Sequence, residues 1–141
     1  MIRSAIALLA AATLGACSGE ETHEAESPTH SGGHAHGPHG GHMIEIGAHI
    51  AHLEVVHDEE AGKLTIYVLE ADAQTPHTVT KPPQLKLATP SGPRVIETEA
   101  RDETNTVFTV TDAALETHEP EGRISIEVKD KTYNPDLEHH H

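Results

Sequence analysis

Two runs and the turn between them decide the fold: Ile50-Ala51-His52-Leu53-Glu54-Val55-Val56-His57, then Asp58-Glu59-Glu60-Ala61-Gly62, then Lys63-Leu64-Thr65-Ile66-Tyr67-Val68-Leu69-Glu70. Successive side chains of an extended strand point to opposite faces. In the second run Leu64, Ile66 and Val68 therefore share one face, and Thr65 and Tyr67 the other. In the first, Leu53, Val55 and His57 point inward while His52, Glu54 and Val56 point outward. Two alternating runs joined by a short polar segment ending in glycine predict a β-hairpin.

Working outward, the same period of two recurs. Met43-Ile44-Glu45-Ile46 predicts a short strand ahead of the hairpin. Residues 84–88 place Leu85 and Leu87 inward, residues 94–100 form a further run, residues 106–111 carry Phe108 and Val110, and residues 123–129 place Ile124, Ile126 and Val128 inward. Thr75-Pro76, Lys81-Pro82-Pro83, Thr89-Pro90-Ser91-Gly92-Pro93 and Glu119-Pro120-Glu121-Gly122 interrupt these runs where turns are expected. Residues 112–118 admit one helical turn with Asp112 as its cap, and no stretch sustains a helical period. The expectation is an all-β domain over residues 43–136: a small antiparallel β-sandwich, immunoglobulin-like in general shape, preceded by a disordered His-rich arm.

The two ends read differently. Met1-Ile2-Arg3 is a short basic start, and residues 4–14 are apolar but too few to span a bilayer. Leu14-Gly15-Ala16-Cys17 resembles a bacterial lipobox, which implies that residues 1–16 are a signal peptide and that Cys17 is diacylated. The expected location is the periplasm or cell envelope, anchored to a membrane by lipid. Ser18 leans towards the outer membrane by resemblance to known sorting preferences. Cys17 is the chain's single cysteine, so lipidation leaves no disulfide and no thiolate ligand. Residues 137–141 read as the remnant of a purification tag and are set aside from metal arguments.

Composition narrows the function. Of 141 residues, the leader, the arm and the tag leave roughly 95 for a folded domain, enough for one and too few for two. Asp and Glu number 23 against 9 Lys and Arg, a formal charge of −14, and the chain has one Phe, two Tyr and no Trp. Such a chain repels phosphate backbones, offers no stacking surface and attracts cations, so no nucleic-acid partner is expected. No Ser-His-Asp set with supporting context, phosphate-cradling glycine loop or His-Glu-x-x-His is present, and the expectation is a protein that is not an enzyme.

Histidine is the unusual residue: there are fourteen, and eleven remain without His139, His140 and His141. Residues 17–42 are almost free of apolar side chains and read as a flexible tether. Within it lies His30-Ser31-Gly32-Gly33-His34-Ala35-His36-Gly37-Pro38-His39-Gly40-Gly41-His42. Neutral imidazole is a borderline ligand, and glycine permits the tight turns that wrap several around one ion. His30, His34, His36, His39 and His42 are the candidate metal ligands, with Glu20, Glu21, Glu24 and Glu26 close by in sequence. Zn(II) is the expected ion, with Cu(II), Ni(II) and Co(II) as alternatives. Cu(I) wants sulfur, of which only Met43 is near. Only neutral imidazole coordinates, so protonation near about pH 6 weakens such a site.

Five further histidines, His49, His52, His57, His77 and His118, fall within or beside the strands. His57 sits at a strand end on the inward face, where a hydrogen-bonded structural role is expected. His52 lies outward, two residues from Glu54; His77 follows Pro76 in a loop, and His118 precedes Glu119-Pro120. His52, His57, His77 and His118 form the pool for a second, domain-borne metal site, with no preferred pair.

Gly37-Pro38-His39-Gly40-Gly41, followed by a hydrophobic strand and the hairpin of residues 53–70, resembles the N-terminal domain of periplasmic adaptor subunits of cobalt–zinc–cadmium type heavy-metal efflux systems. It also resembles small His-rich bacterial lipoproteins. The similarity in pattern runs over residues 32–129, and its specific parts are the five-residue segment and the hairpin. The resemblance implies a small β-sandwich that handles metal outside the inner membrane, and it singles out His39. Such adaptors continue into lipoyl-like, barrel and helical-hairpin domains, and a protein without those domains is expected here. The expected function is therefore a lipid-anchored protein that captures, buffers or hands on a divalent transition metal, with a metal-efflux pump component as its natural partner. The alternative is an envelope protein–protein interaction module in which the His-rich segment is only a spacer.

Overall fold

The computed structural model of the chain describes residues 36–137; Cys17, His30 and His34 lie outside the described residues. The strands are β1 (His42–Ile46), β2 (Ala51–Asp58), β3 (Lys63–Leu69), β4 (Gln84–Thr89), β5 (Gly92–Glu97), β6 (Glu99–Ala100), β7 (Val107–Thr111), β8 (Gly122–Val128) and β9 (Lys131–Tyr133). They form two antiparallel sheets, ordered β1-β2-β3-β7-β6 and β5-β4-β8-β9. Without β1, these orders match the A-B-E-D and C′-C-F-G sheets of an immunoglobulin-like sandwich, and β1 adds an edge strand beside the first. The expected all-β sandwich is what forms.

Alternation explains the core. In the first sheet Leu53 pairs with Val68, Val55 with Ile66, Leu64 with Val110 and Ile66 with Phe108. In the second, Leu85 pairs with Ile124. All of these side chains are buried, and Ile44, Ile46, Leu87, Ile126 and Val128 join them. Burial of such aliphatic area supplies the main favourable term of folding. The helical turn expected after residue 111 is a short 3₁₀ segment, Ala113–Leu115, with the Asp112 side chain accepting from the Ala114 N–H. The Arg94 guanidinium grips both oxygens of that Asp112 carboxylate at 2.9 and 2.8 Å, tying β5 of one sheet to the end of β7 in the other.

Two segments depart from the expected pattern. Residues 94–100, read as one run, split into β5 and β6 in different sheets. Buried Thr98 sits at the crossing; its hydroxyl donates to the Pro83 carbonyl at 2.7 Å, which lets the chain leave one ladder and enter the other. A ninth strand follows β8 through Lys129 (φ 51°) and Asp130 (φ 62°), both left-handed, as a two-residue type I′ hairpin requires. Lys-Asp lacks the Asn-Gly signature of that turn, so the strand was not visible in the sequence. At the C-terminal end, Leu137, read as the start of a tag, is 5% exposed and packs in the core, its N–H donating to the Gly122 carbonyl at 2.8 Å.

The outward face of β2 carries the least expected feature. Glu54 points away from the core, as its parity demands, yet it is fully buried. The segment Gly37-Pro38-His39-Gly40 folds over it as a β-turn, closed by the Gly40 N–H on the Gly37 carbonyl and the Gly37 N–H on the Gly41 carbonyl, both at 3.0 Å. Proline at the second position and glycine at the fourth suit this turn. The Glu54 carboxylate accepts from the His39 N–H at 2.6 Å and the Gly41 N–H at 2.9 Å, and the His39 Nδ1 lies 2.7 Å from its other oxygen. The His39 ring stacks on Tyr67 at 3.7 Å between centroids. A Cβ on Gly37 would collide with the Glu54 carboxyl and the Met43 sulfur, and one on Gly41 would come within 2.7 Å of the Val55 carbonyl. The glycines are there because the turn lies directly on the sheet.

Glu54→Ala should therefore lower stability by about 3 kcal/mol, because the His39 and Gly41 amides lose their acceptor. Gly37→Ala should act in the same direction by steric displacement of the turn. Urea denaturation reads both as a lower midpoint; an unchanged midpoint for Glu54→Ala would show that the turn is not held by the carboxylate.

Candidate metal centre

β1 and β2 pair so that Glu45 lies opposite His52 and Ile46 opposite Ala51. The four residues between them make a turn closed by the Ile50 N–H on the Ile46 carbonyl at 3.0 Å, with Gly47 (φ 60°) and His49 (φ 54°) in the left-handed region. That geometry folds His49 back over Glu45: its N–H donates to one carboxylate oxygen at 3.1 Å and its Nδ1 lies 3.2 Å from the other. The His49 and His52 rings sit 6.2 Å apart. One donor atom each from Glu45, His49 and His52 lies within 4.8 Å of the other two, so the three can hold a metal ion.

The chemistry of this set suits a divalent transition metal. The His52 Nδ1 is 3.3 Å from the Glu70 carbonyl, which can only accept, so in the neutral ring Nδ1 carries the proton and Nε2 the lone pair. A backbone carbonyl fixing the tautomer in this way is the usual support of a ligating histidine. Two imidazoles and one carboxylate leave one corner of a tetrahedron open. His49 is 74% exposed, so an ion can enter and leave without moving the fold. Asp72 lines the cavity beside Glu45 and His52. The Thr75 hydroxyl, with the backbone N–H groups of Thr75 and Gln74, holds the Asp72 carboxyl down at about 2, so it contributes negative charge.

The other expected ligands are distributed around the domain. His39 is occupied by Glu54 and Tyr67. His36 and His42 face each other across an isolated antiparallel bridge and line a groove together with His57 and His118. The His57 Nε2 donates to the Leu115 carbonyl at 2.7 Å. His77, 15% exposed, pairs with Glu70 at 2.9 Å, and His118 pairs with Glu59 at 3.3 Å on the surface. Of the residues in the converged cluster, the sequence singled out His52 as a candidate ligand but set it beside Glu54. A four-residue turn after Ile46 would have placed Glu45 opposite His52, and that registration was the available signal.

Removing this cluster by Glu45→Ala, His49→Ala and His52→Ala together should abolish one bound equivalent of Zn(II), and each single change should weaken that equivalent by at least about tenfold. His77→Ala, which touches a separate ion pair, should leave it unchanged. Isothermal titration calorimetry with equilibrium dialysis measures both; an intact equivalent in the triple variant would exclude the cluster. No protein-family model matches the chain, and no curated protein or solved structure matches it either.

Proposed function

We propose that the protein is a lipid-anchored, extracytoplasmic metal-binding protein that captures a divalent transition metal and buffers it or hands it on. The observation that carries this reading is the convergence of Glu45, His49 and His52 on an exposed turn. An open coordination corner and free access suit transfer of an ion between carriers better than a closed structural site would. The acidic excess of the chain supports the reading by attracting cations. The histidines of residues 30–42 support it by adding imidazoles directly before the domain in sequence. Zn(II) is the proposed cargo, with Cu(II), Ni(II) and Co(II) sharing the same ligand chemistry. The role is binding, not catalysis, and the likeness of residues 37–41 and the hairpin to efflux adaptors suggests a heavy-metal efflux setting.

The anchor is part of the proposal. Cys17→Ser should abolish acylation, so that the protein partitions into the aqueous phase of a detergent extraction; an unchanged detergent partition would exclude Cys17 as the anchor. The cargo is tested on protein lacking residues 139–141, by dialysis against Zn(II), Cu(II), Ni(II) and Co(II). Deleting the whole arm would also remove the turn over Glu54, so the arm is better probed by His30→Ala with His34→Ala. If none of the four ions binds more tightly than about millimolar, only about −4 kcal/mol, the metal reading fails and a protein-interaction module takes its place.

A further inference from the structure

We propose that His36, His42, His57 and His118 form a second site for a divalent transition-metal ion, at the end of the sandwich where the arm meets the domain. The site joins histidines that the sequence assigned to two different places. His36 and His42 are opposite residues of an antiparallel bridge, so their side chains leave the ladder on the same side. His42 in turn lies opposite Val55, and His57 is two residues further along β2, on the same face. Such diagonal neighbours have Cα atoms about 7–8 Å apart, within reach of two imidazoles meeting at one ion. His118, beyond the 3₁₀ turn, completes the wall, and Glu59 lies beside it.

The hydrogen bonds point to ligation. The His57 Nε2–H donates to the Leu115 carbonyl at 2.7 Å, which leaves the lone pair of the neutral ring on Nδ1. A ligating histidine characteristically gives its other ring N–H to a carbonyl or carboxylate in this way. His118 repeats the arrangement with its Nδ1 at 3.3 Å from the Glu59 carboxylate, leaving Nε2 for a metal. Among the described residues no lysine or arginine lines the groove to compete with a cation, and an adjoining cavity that shares His42, His57 and His118 adds Glu119 and Glu121. His36 and His118 are exposed, so their rings can turn towards His42 and His57 by side-chain rotation. His36 also lines the cavity beside Glu45 and His52.

The proposal adds a site to the metal-binding reading and does not depend on the Glu45 cluster. The test is residue-resolved imidazole ¹⁵N NMR of the full chain titrated with Zn(II) alone, which separates these rings from those of residues 139–141. The expected result is a coordination shift at the Nδ1 of His57, saturating at the same zinc concentration as shifts of His36, His42 and His118. His42→Gln and, at an exposed position where folding is not at stake, His118→Gln should each weaken this set at least tenfold while His49 and His52 respond as before. A His57 Nδ1 that stays unshifted at saturating zinc overturns the second site, and so do four rings that saturate at different concentrations. If His49 and His52 alone respond, this inference fails and the proposed function stands; if no ring responds, both fail.

Discussion

A carboxylate buried on the wrong side of a sheet organises this molecule. Glu54 belongs to the outward face of β2, where a charged group would ordinarily meet water. Here the His39 and Gly41 amides and the His39 ring take the place of that water. A buried carboxylate is tolerable only when its oxygens are satisfied, so the turn and the glutamate require each other. Once the turn is fixed, the chain before β1 has a defined course, and His36 is set opposite His42. The glycines at 37 and 41 allow the backbone to come close enough, and Gly40 (φ 80°) supplies the left-handed bend.

Histidine serves several ends in one small domain. His39 is an anchor, stacked on Tyr67 and bonded to Glu54. His57 ties the end of β2 to the 3₁₀ turn through the Leu115 carbonyl. His49 and His52 face a carboxylate at an exposed turn, where their nitrogens can be shared with an ion. The distinction comes from neighbours: a ring stacked and bonded over a buried carboxylate holds the fold, and a ring at an open turn is accessible to an ion. Both metal readings lie on or beside the first sheet, and the acidic character of the chain favours cations at each.

The fold was largely legible. Hairpin β2–β3, the aliphatic inward sets and the Asp112-capped turn all follow from parity and local chemistry. The split of residues 94–100 at Thr98 was not legible, because alternation continues unbroken through the place where the chain changes sheets. The ninth strand was hidden because its turn uses Lys129 and Asp130 in a conformation normally given to Asn and Gly. The candidate site was legible only in its residue type. Histidine density pointed to metal chemistry, and His52 was among the chosen residues, while Glu45 and His49 became its partners only through the register of β1 on β2.

By itself the sequence determined the class of the fold, because the two-residue period of a strand is a local property carried by each run of side chains. It also determined the chemistry on offer, an acidic chain rich in imidazole and poor in sulfur and aromatic rings. Tertiary structure alone decided which histidine meets which partner: Glu45 with His52 across a ladder, His39 with Glu54 under a turn, and His36 with His42 across a bridge, in a groove that His57 and His118 also line. Those meetings depend on strand register and on the docking of a loop, which join residues far apart along the chain and leave no periodic trace in it.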